Sequence, residues 1–210
     1  MADYGSAIGH LDLEAVGGDL PEPRRRIMLA AARLFRHSGF AAVSMRDIGE
    51  AVGLSKAGLY HHCKSKDDLL RDIVRVGYRL LLAQLERVRE LAADPEWRLR
   101  EFLRTRMEVL AEFQDIMLVI WQERPLLTGA LADEGAAMAS TYRAGVRELI
   151  QAAQRAGVLR ADLDVHLLTL AIDGMTGWAC FWYHPEGQVG AGRIGEDFWS
   201  FLFIGIQDRR

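Results

Sequence analysis

The sequence predicts an all-α protein of about nine helices, a small three-helix head followed by a larger helical body. Three observations carry that prediction. Apolar residues recur at spacings of three and four along most of the chain, the period of a half-buried helix. Helix-starting residues (Ser44, Ser55, Ser65, Asp94-Pro95) and helix-ending glycines (Gly39, Gly53, Gly157) fall between those runs. No useful length of chain alternates apolar and polar residues as a strand does.

Residues 1–22 carry five acids, no Lys or Arg and no helical period, and read as a disordered acidic leader. Pro23 then suits a first helical turn, and Ile27, Ala31, Leu34 and Phe35 share one face of a helix over 24–38, stopped at Gly39. Ser44 starts the second helix, with Asp47 three residues on to complete a capping box, and Gly53 ends it. Ser55 caps a third helix over 56–62. Ser65 caps a fourth, which carries Asp67 and Asp68 in its first turn and an apolar stripe to about residue 91.

Asp94-Pro95 opens a fifth helix, which the run 116–121 continues after a bend. Helices over 134–156, 163–183 and 191–207 complete the body.

The composition excludes several classes. With 50% hydrophobic and 26% charged residues, the chain of 210 is globular rather than disordered. Its two cysteines, Cys63 and Cys180, are too few for a disulfide framework and suit a reducing cytoplasm. The N-terminus lacks a basic region followed by an apolar one, so no signal peptide is expected. The most apolar stretch, 163–183, contains His166, Asp173, Gly174 and Gly177, and reads as a buried helix, not a membrane span.

No Ser-His-Asp set, metal cluster or Gly-rich phosphate loop marks an enzyme, and the His61-His62 pair lacks the Cys or Asp partners of a metal site. No catalysis, cofactor or metal is expected.

Charge is distributed unevenly. The net −3 divides into −5 over 1–22, +7 over 23–66 and −5 over 67–210. All three lysines, Lys56, Lys64 and Lys66, lie inside the basic segment. A compact basic segment in an acidic chain is the footprint of a polyanion-binding module. The charge breaks divide the chain into a leader (1–22), a head (23–66) and a body (67–210).

Inside that segment, two short helices joined by Gly53-Leu54-Ser55 match a helix-turn-helix. Ile48, Val52, Leu54 and Leu59 can bury a shared core with Leu34 and Phe35, which leaves the start of the third helix to enter a major groove. Ser55, Lys56, Ala57 and Gly58 there are small or polar, so the backbone can approach base edges closely.

The run Ala42-Val43-Ser44-Met45-Arg46-Asp47-Ile48, followed by Val52-Gly53-Leu54-Ser55-Lys56-Ala57-Gly58-Leu59-Tyr60-His61-His62-Cys63-Lys64-Ser65-Lys66-Asp67-Asp68-Leu69-Leu70, closely resembles the TetR family of bacterial transcriptional repressors. Cys63 departs from the Phe usual there, which predicts looser packing between helices three and four. The resemblance implies groove-edge or phosphate contacts from Ser44 and Arg46. It implies base reading by Lys56, Ala57 and Gly58 next to Ser55, and phosphate anchoring by Tyr60, His61 and Lys66. It also implies a homodimer on a double-stranded, pseudo-palindromic operator, released by a small hydrophobic effector.

The 163–183 helix is apolar on more than one face, so one face can meet the core and another a second subunit. With the last helix it predicts a four-helix dimer interface through Leu167, Leu170, Gly174, Gly177, Phe198, Phe201 and Leu202. An effector pocket is predicted among helices five to eight, lined by Met107, Leu110, Trp121, Met138, Tyr142 and Trp178. The stretch Trp182-Tyr183-His184-Pro185-Glu186-Gly187-Gln188 followed by Ile194 resembles a TetR subgroup that senses acyl-CoA or sterol-derived CoA thioesters. The same architecture suits a regulator of an efflux or catabolic gene that answers a non-CoA aromatic or lipophilic compound.

Overall fold

The computed structural model describes residues 11–13, 16, 18, 20–123 and 127–206, the last three by backbone alone. Among these residues there are nine helices: α1 (Glu22–Ser38), α2 (Met45–Val52), α3 (Lys56–His62), α4 (Lys66–Glu90), α5 (Pro95–Glu112), α6 (Gln114–Glu123), α7 (Gly129–Arg155), α8 (Val165–Trp182) and α9 (Ala191–Ile206). None of them is long and apolar enough to cross a membrane.

The expected caps are in place. Asp68 N–H donates to Ser65 Oγ at 3.1 Å and Trp97 N–H to Asp94 Oδ1 at 2.9 Å. Three helix starts differ, α1 beginning at Glu22 rather than 24. α7 starts at Gly129 rather than 134, because Ala130 to Ala132 continue the helix and Leu131 is buried. α8 starts at Val165, where Asp164 Oδ1 accepts Leu167 N–H at 2.9 Å. Most of the expected disordered leader lies outside the described residues. Of those within, Leu11 is buried, and Val16 N–H donates to the Asp12 carbonyl at 3.0 Å, local order that acidic composition did not predict.

The chain forms two compact units. One comprises Asp12–Arg79 with Phe113–Met138; the other is built mainly of Leu80–Glu112 and the chain from Ala139 onward. Packing therefore divides the chain at a different place from charge: the basic segment shares its unit with the first half of α4 and with α6.

In the first unit, Ile27, Met28, Ala31 and Phe35 of α1 are buried together with Ile48, Leu59, Leu69 and Ile73. Leu34 is only half-buried; Met28 takes the core position expected of it. α6 holds this unit through charge as well. Asp115 pairs with Arg36 at 2.7 Å, and the buried Glu123 accepts the Phe40 N–H at 3.1 Å.

In the second unit, α5 packs closely on α9 and more lightly on α8. Arg104 donates to Glu101 and Glu108, both at 2.5 Å, which offsets the cost of burying Glu101.

Candidate nucleic-acid interface

The geometry of α2 and α3 follows from local chemistry. Ser44 Oγ accepts the Asp47 N–H at 3.2 Å, and Asp47 Oδ2 accepts the Ser44 N–H at 2.8 Å, a complete capping box. Donation from the Ser44 backbone and hydroxyl holds the Asp47 carboxyl below the usual carboxylate range. A lowered folded value means the stabilisation is present above about pH 3.9 and is lost as pH falls through that lower value, so the cap is intact at neutrality. Gly53 ends α2 in the left-handed region (φ 70°, ψ 28°), where an L side chain would be strained, and so lets the chain reverse into Ser55. Ser55 Oγ then accepts the Gly58 N–H at 3.2 Å and starts α3.

A cleft of about 600 Å³ runs between α2 and α3 and brings together four predicted contact residues: Ser44, Arg46, Lys56 and Tyr60. Lys56, Ala57 and His61 are exposed, and Tyr60 is 44% exposed, so it is no core aromatic. Gly58 is half-buried; a Cβ there would sit 3.4 Å from Ser55 Oγ. Arg46 pairs with Glu50 at 2.8 Å on open surface, a weak tie that leaves it able to turn to another anion.

One predicted anchor is placed otherwise. Lys66 Nζ donates to the Phe40 carbonyl at 2.7 Å and the Ala41 carbonyl at 3.4 Å, and lies 4.5 Å from the Phe40 ring centroid. The turn after α1 leaves these carbonyls to be satisfied, and a lysine at the start of α4 reaches them. Its work is to hold that turn.

A residue the sequence reading counted only as a charge orients the module. Arg24 on α1 pairs with the buried Asp72 of α4 at 2.7 Å and donates to the His62 carbonyl at 3.1 Å, so it fixes the end of α3. Beside it, burial pushes the Cys63 thiol up, and Cys63 Sγ donates to the Leu59 carbonyl at 3.5 Å. No sequence period marks Arg24 for this role.

The predicted effector residues distribute unevenly. Met107, Leu110 and Tyr142 are buried in the second unit; Trp121 and Met138 are half-buried members of the first. Trp178 corrects the prediction. It is 60% exposed and stacks on Phe181 with centroids 4.7 Å apart, because it lies on the same stripe of α8 as Leu167, Leu170 and Gly174.

Gly177 is corrected in the opposite sense. It was expected at a dimer interface and is buried inside its own chain. The remaining interface residues keep an accessible face: Leu167, Leu170, Gly174 and Phe201 are exposed, and Phe198 and Leu202 are half-buried. Trp182, exposed and 6.3 Å from Phe198, extends the same surface. The spacing from Leu167 through Leu170 to Trp178 and Phe181 was the signal that would have found these aromatics.

Residues 27–73 match the family described as bacterial regulatory proteins, tetR family, and residues 92–206, more than half of the chain, match the tetracyclin repressor-like C-terminal domain. The chain belongs to the TetR family. As a TetR-family protein it is a DNA-binding transcriptional regulator.

Among curated relatives, the HTH-type transcriptional repressor KstR2 of Mycobacterium tuberculosis is 27% identical over 206 residues, covering 92% of this chain and 98% of that protein. AibR, solved in complex with isovaleryl coenzyme A and operator DNA, is 30% identical with a TM-score of 0.79, covering 87% of this chain and 98% of that one. The solved structure of KstR2, at 24% identity and a TM-score of 0.85 over 92% of this chain and all of that one, shares the TetR fold.

Proposed function

We propose that this TetR regulator is a homodimeric repressor that reads a pseudo-palindromic operator and is released from it by a CoA thioester. The observation that carries the DNA side is the exposed face of α3, where Lys56, Ala57 and Tyr60 project from a helix held by the Ser55 cap and the Arg24 clamp. Phosphate contacts there supply affinity and salt dependence, and Lys56, Ala57 and Gly58 select sequence. The second subunit covers the apolar stripe of Leu167, Leu170, Trp178, Phe181 and Phe201, which exposes more aromatic surface than an isolated protomer would ordinarily leave in water. Two half-sites then lie about one helical turn apart.

Support for a thioester as the class of ligand comes from AibR, solved with isovaleryl coenzyme A and operator DNA bound together; release from the operator is this proposal's own step. The thioester favours a dimer conformation in which the two reading heads no longer match the half-sites, and its differential affinity drives release. α4 is one continuous helix with its first part in the unit of the reading head, so it is the natural lever.

Selection from a pool of random duplexes tests the first half. The wild-type protein enriches a two-fold symmetric sequence. Lys56→Ala and Tyr60→Ala each weaken binding to it by about tenfold or more, and Lys56→Ala also relaxes the sequence selected. Size exclusion finds both variants still dimeric. Enrichment of nothing, or unchanged affinity in both variants, removes this assignment. The second half is tested by adding isovaleryl-CoA and longer acyl-CoAs at saturation to the protein–operator complex: release is expected, and a panel without effect excludes a thioester.

A further inference from the structure

The interior of the second unit holds a cation that its own side chains do not satisfy. Arg106 of α5 is 2% exposed, and neither its Nε–H nor its Nη1–H groups meet an acceptor. Among the described residues only one other buried side-chain atom, Gln84 Oε1 of α4, lacks a partner. The other buried charged residues are all answered: Asp72 by Arg24, Glu101 by Arg104, Glu123 by the Phe40 N–H.

Arginine cannot shed its proton, so the unmet donors of Arg106 are a standing cost to the folded chain. Burial works against the charge, and Tyr142, Asp173 and Cys180 around it more than offset this. Of these three, Asp173, on α8, is the carboxylate. The guanidinium hydrogen-bonds Tyr142 and lies 5.8 Å from its ring centroid, which leaves Nε and Nη1 as the unmet donors. Along α5, Phe102, Leu103, Met107 and Leu110 are buried and apolar. Arg106 thus stands between residues that the sequence marked for an effector pocket, Met107 beside it and Tyr142 facing it.

We propose that Arg106 receives a carboxylate of the effector. The effector is then a hydrophobic acid, or a CoA thioester whose acyl part carries a second, free carboxylate, rather than a plain hydrocarbon-tailed thioester. The unmet Nε–H and Nη1–H of one guanidinium match the two oxygens of one carboxylate, whereas the phosphates of CoA carry several charges and lie elsewhere. A carboxylate accepts from the guanidinium through charge-assisted hydrogen bonds, which are the strong ones in a dry site. The inference rests on the reading of the chain as an effector-released repressor.

Isothermal titration of the full chain with two matched pairs tests it: sebacoyl-CoA against decanoyl-CoA, and decanoate against decanol. The wild-type protein is expected to prefer the carboxylate-bearing member of at least one pair by about tenfold or more. Arg106→Met is expected to lose that preference, with the carboxylate ligand weakened to the level of its uncharged partner and operator release following the same order. Should Arg106→Met fail to fold, Arg106→Lys carries the test, since lysine keeps the charge without the planar donors: a preference cut severalfold supports the proposal, and an unchanged one overturns it. An Arg106-dependent preference confined to the free-acid pair keeps this site and removes the thioester. Thioester binding and operator release without any dependence on Arg106 keep the thioester and overturn this site. No preference in either pair of the wild-type protein overturns it as well.

Discussion

Replacing Gly195 with alanine is expected to destabilise the protein by about 3 kcal/mol, toward the upper end of overpacking costs, and to lower its melting temperature by about 6–12 °C for a chain of this size. A Cβ at this position of α9 would stand 2.5 Å from Arg104 Cα, 2.6 Å from the Leu103 carbonyl oxygen and 2.9 Å from Arg104 N. All three are backbone atoms of α5, so no side chain can swing away, and relief requires the two helices to separate. That separation also pulls apart Arg100 and Glu196, an ion pair of 3.4 Å between the two helices.

Gly135→Ala, in α7, is the control. Its Cβ would make only ordinary contacts, with Leu127 Cδ1 at 3.5 Å and Val74 Cγ1 at 3.6 Å, so alanine there is expected to stabilise the protein by about 0.5–1 kcal/mol through helix propensity. Thermal melts of the two variants, with circular dichroism at 25 °C to show that both are helical, separate the cases. A Gly195→Ala protein that melts with the wild type would mean that α5 and α9 do not approach this closely.

Arg24→Met is expected to cost about 2 kcal/mol or more, because it leaves the Asp72 carboxylate, with 6% of its side chain exposed, without its main partner. The same change releases the His62 carbonyl at the end of α3, so operator affinity falls even though Arg24 does not belong to the reading face. The double variant Arg24→Met with Asp72→Asn removes the stranded charge and is expected to recover much of the lost stability. It does not recover operator affinity, because the hold on His62 stays absent. Urea unfolding and operator titration of Arg24→Met, Asp72→Asn and the double variant check this, and additive stability losses would show that Arg24 and Asp72 do not interact.

Helices, caps and turn were legible in the chain because their causes lie within a few residues of their effects. Ser44 with Asp47, Ser55 with Gly58, Ser65 with Asp68, and Asp94 with Trp97 each close a bond three residues away, so spacing suffices to find them. The candidate reading face followed, since exposure of Lys56 and Ala57 is set by which turn of a short helix carries Leu59.

The effector side was less legible for the opposite reason. Trp178 is apolar and sits on an apolar helix, and only the packing of α8 shows that its stripe faces outward while Gly177 faces in. Lys66 carries a charge in a basic run, and only the folded turn after α1 shows the carbonyls that claim it.

By itself, then, the sequence determined the class of the fold, the order of its helices and the segment where a basic helix-turn-helix stands. Propensity, capping and period act along the chain over short distances, and charge can be counted. Only the tertiary structure decided that Arg24 clamps α3, that Gly195 admits α5 against α9, and that Arg106 is buried with donors unmet. Each of these depends on groups brought together from distant parts of the chain, and whether a buried charge finds a partner is a property of three-dimensional packing that local pattern does not encode.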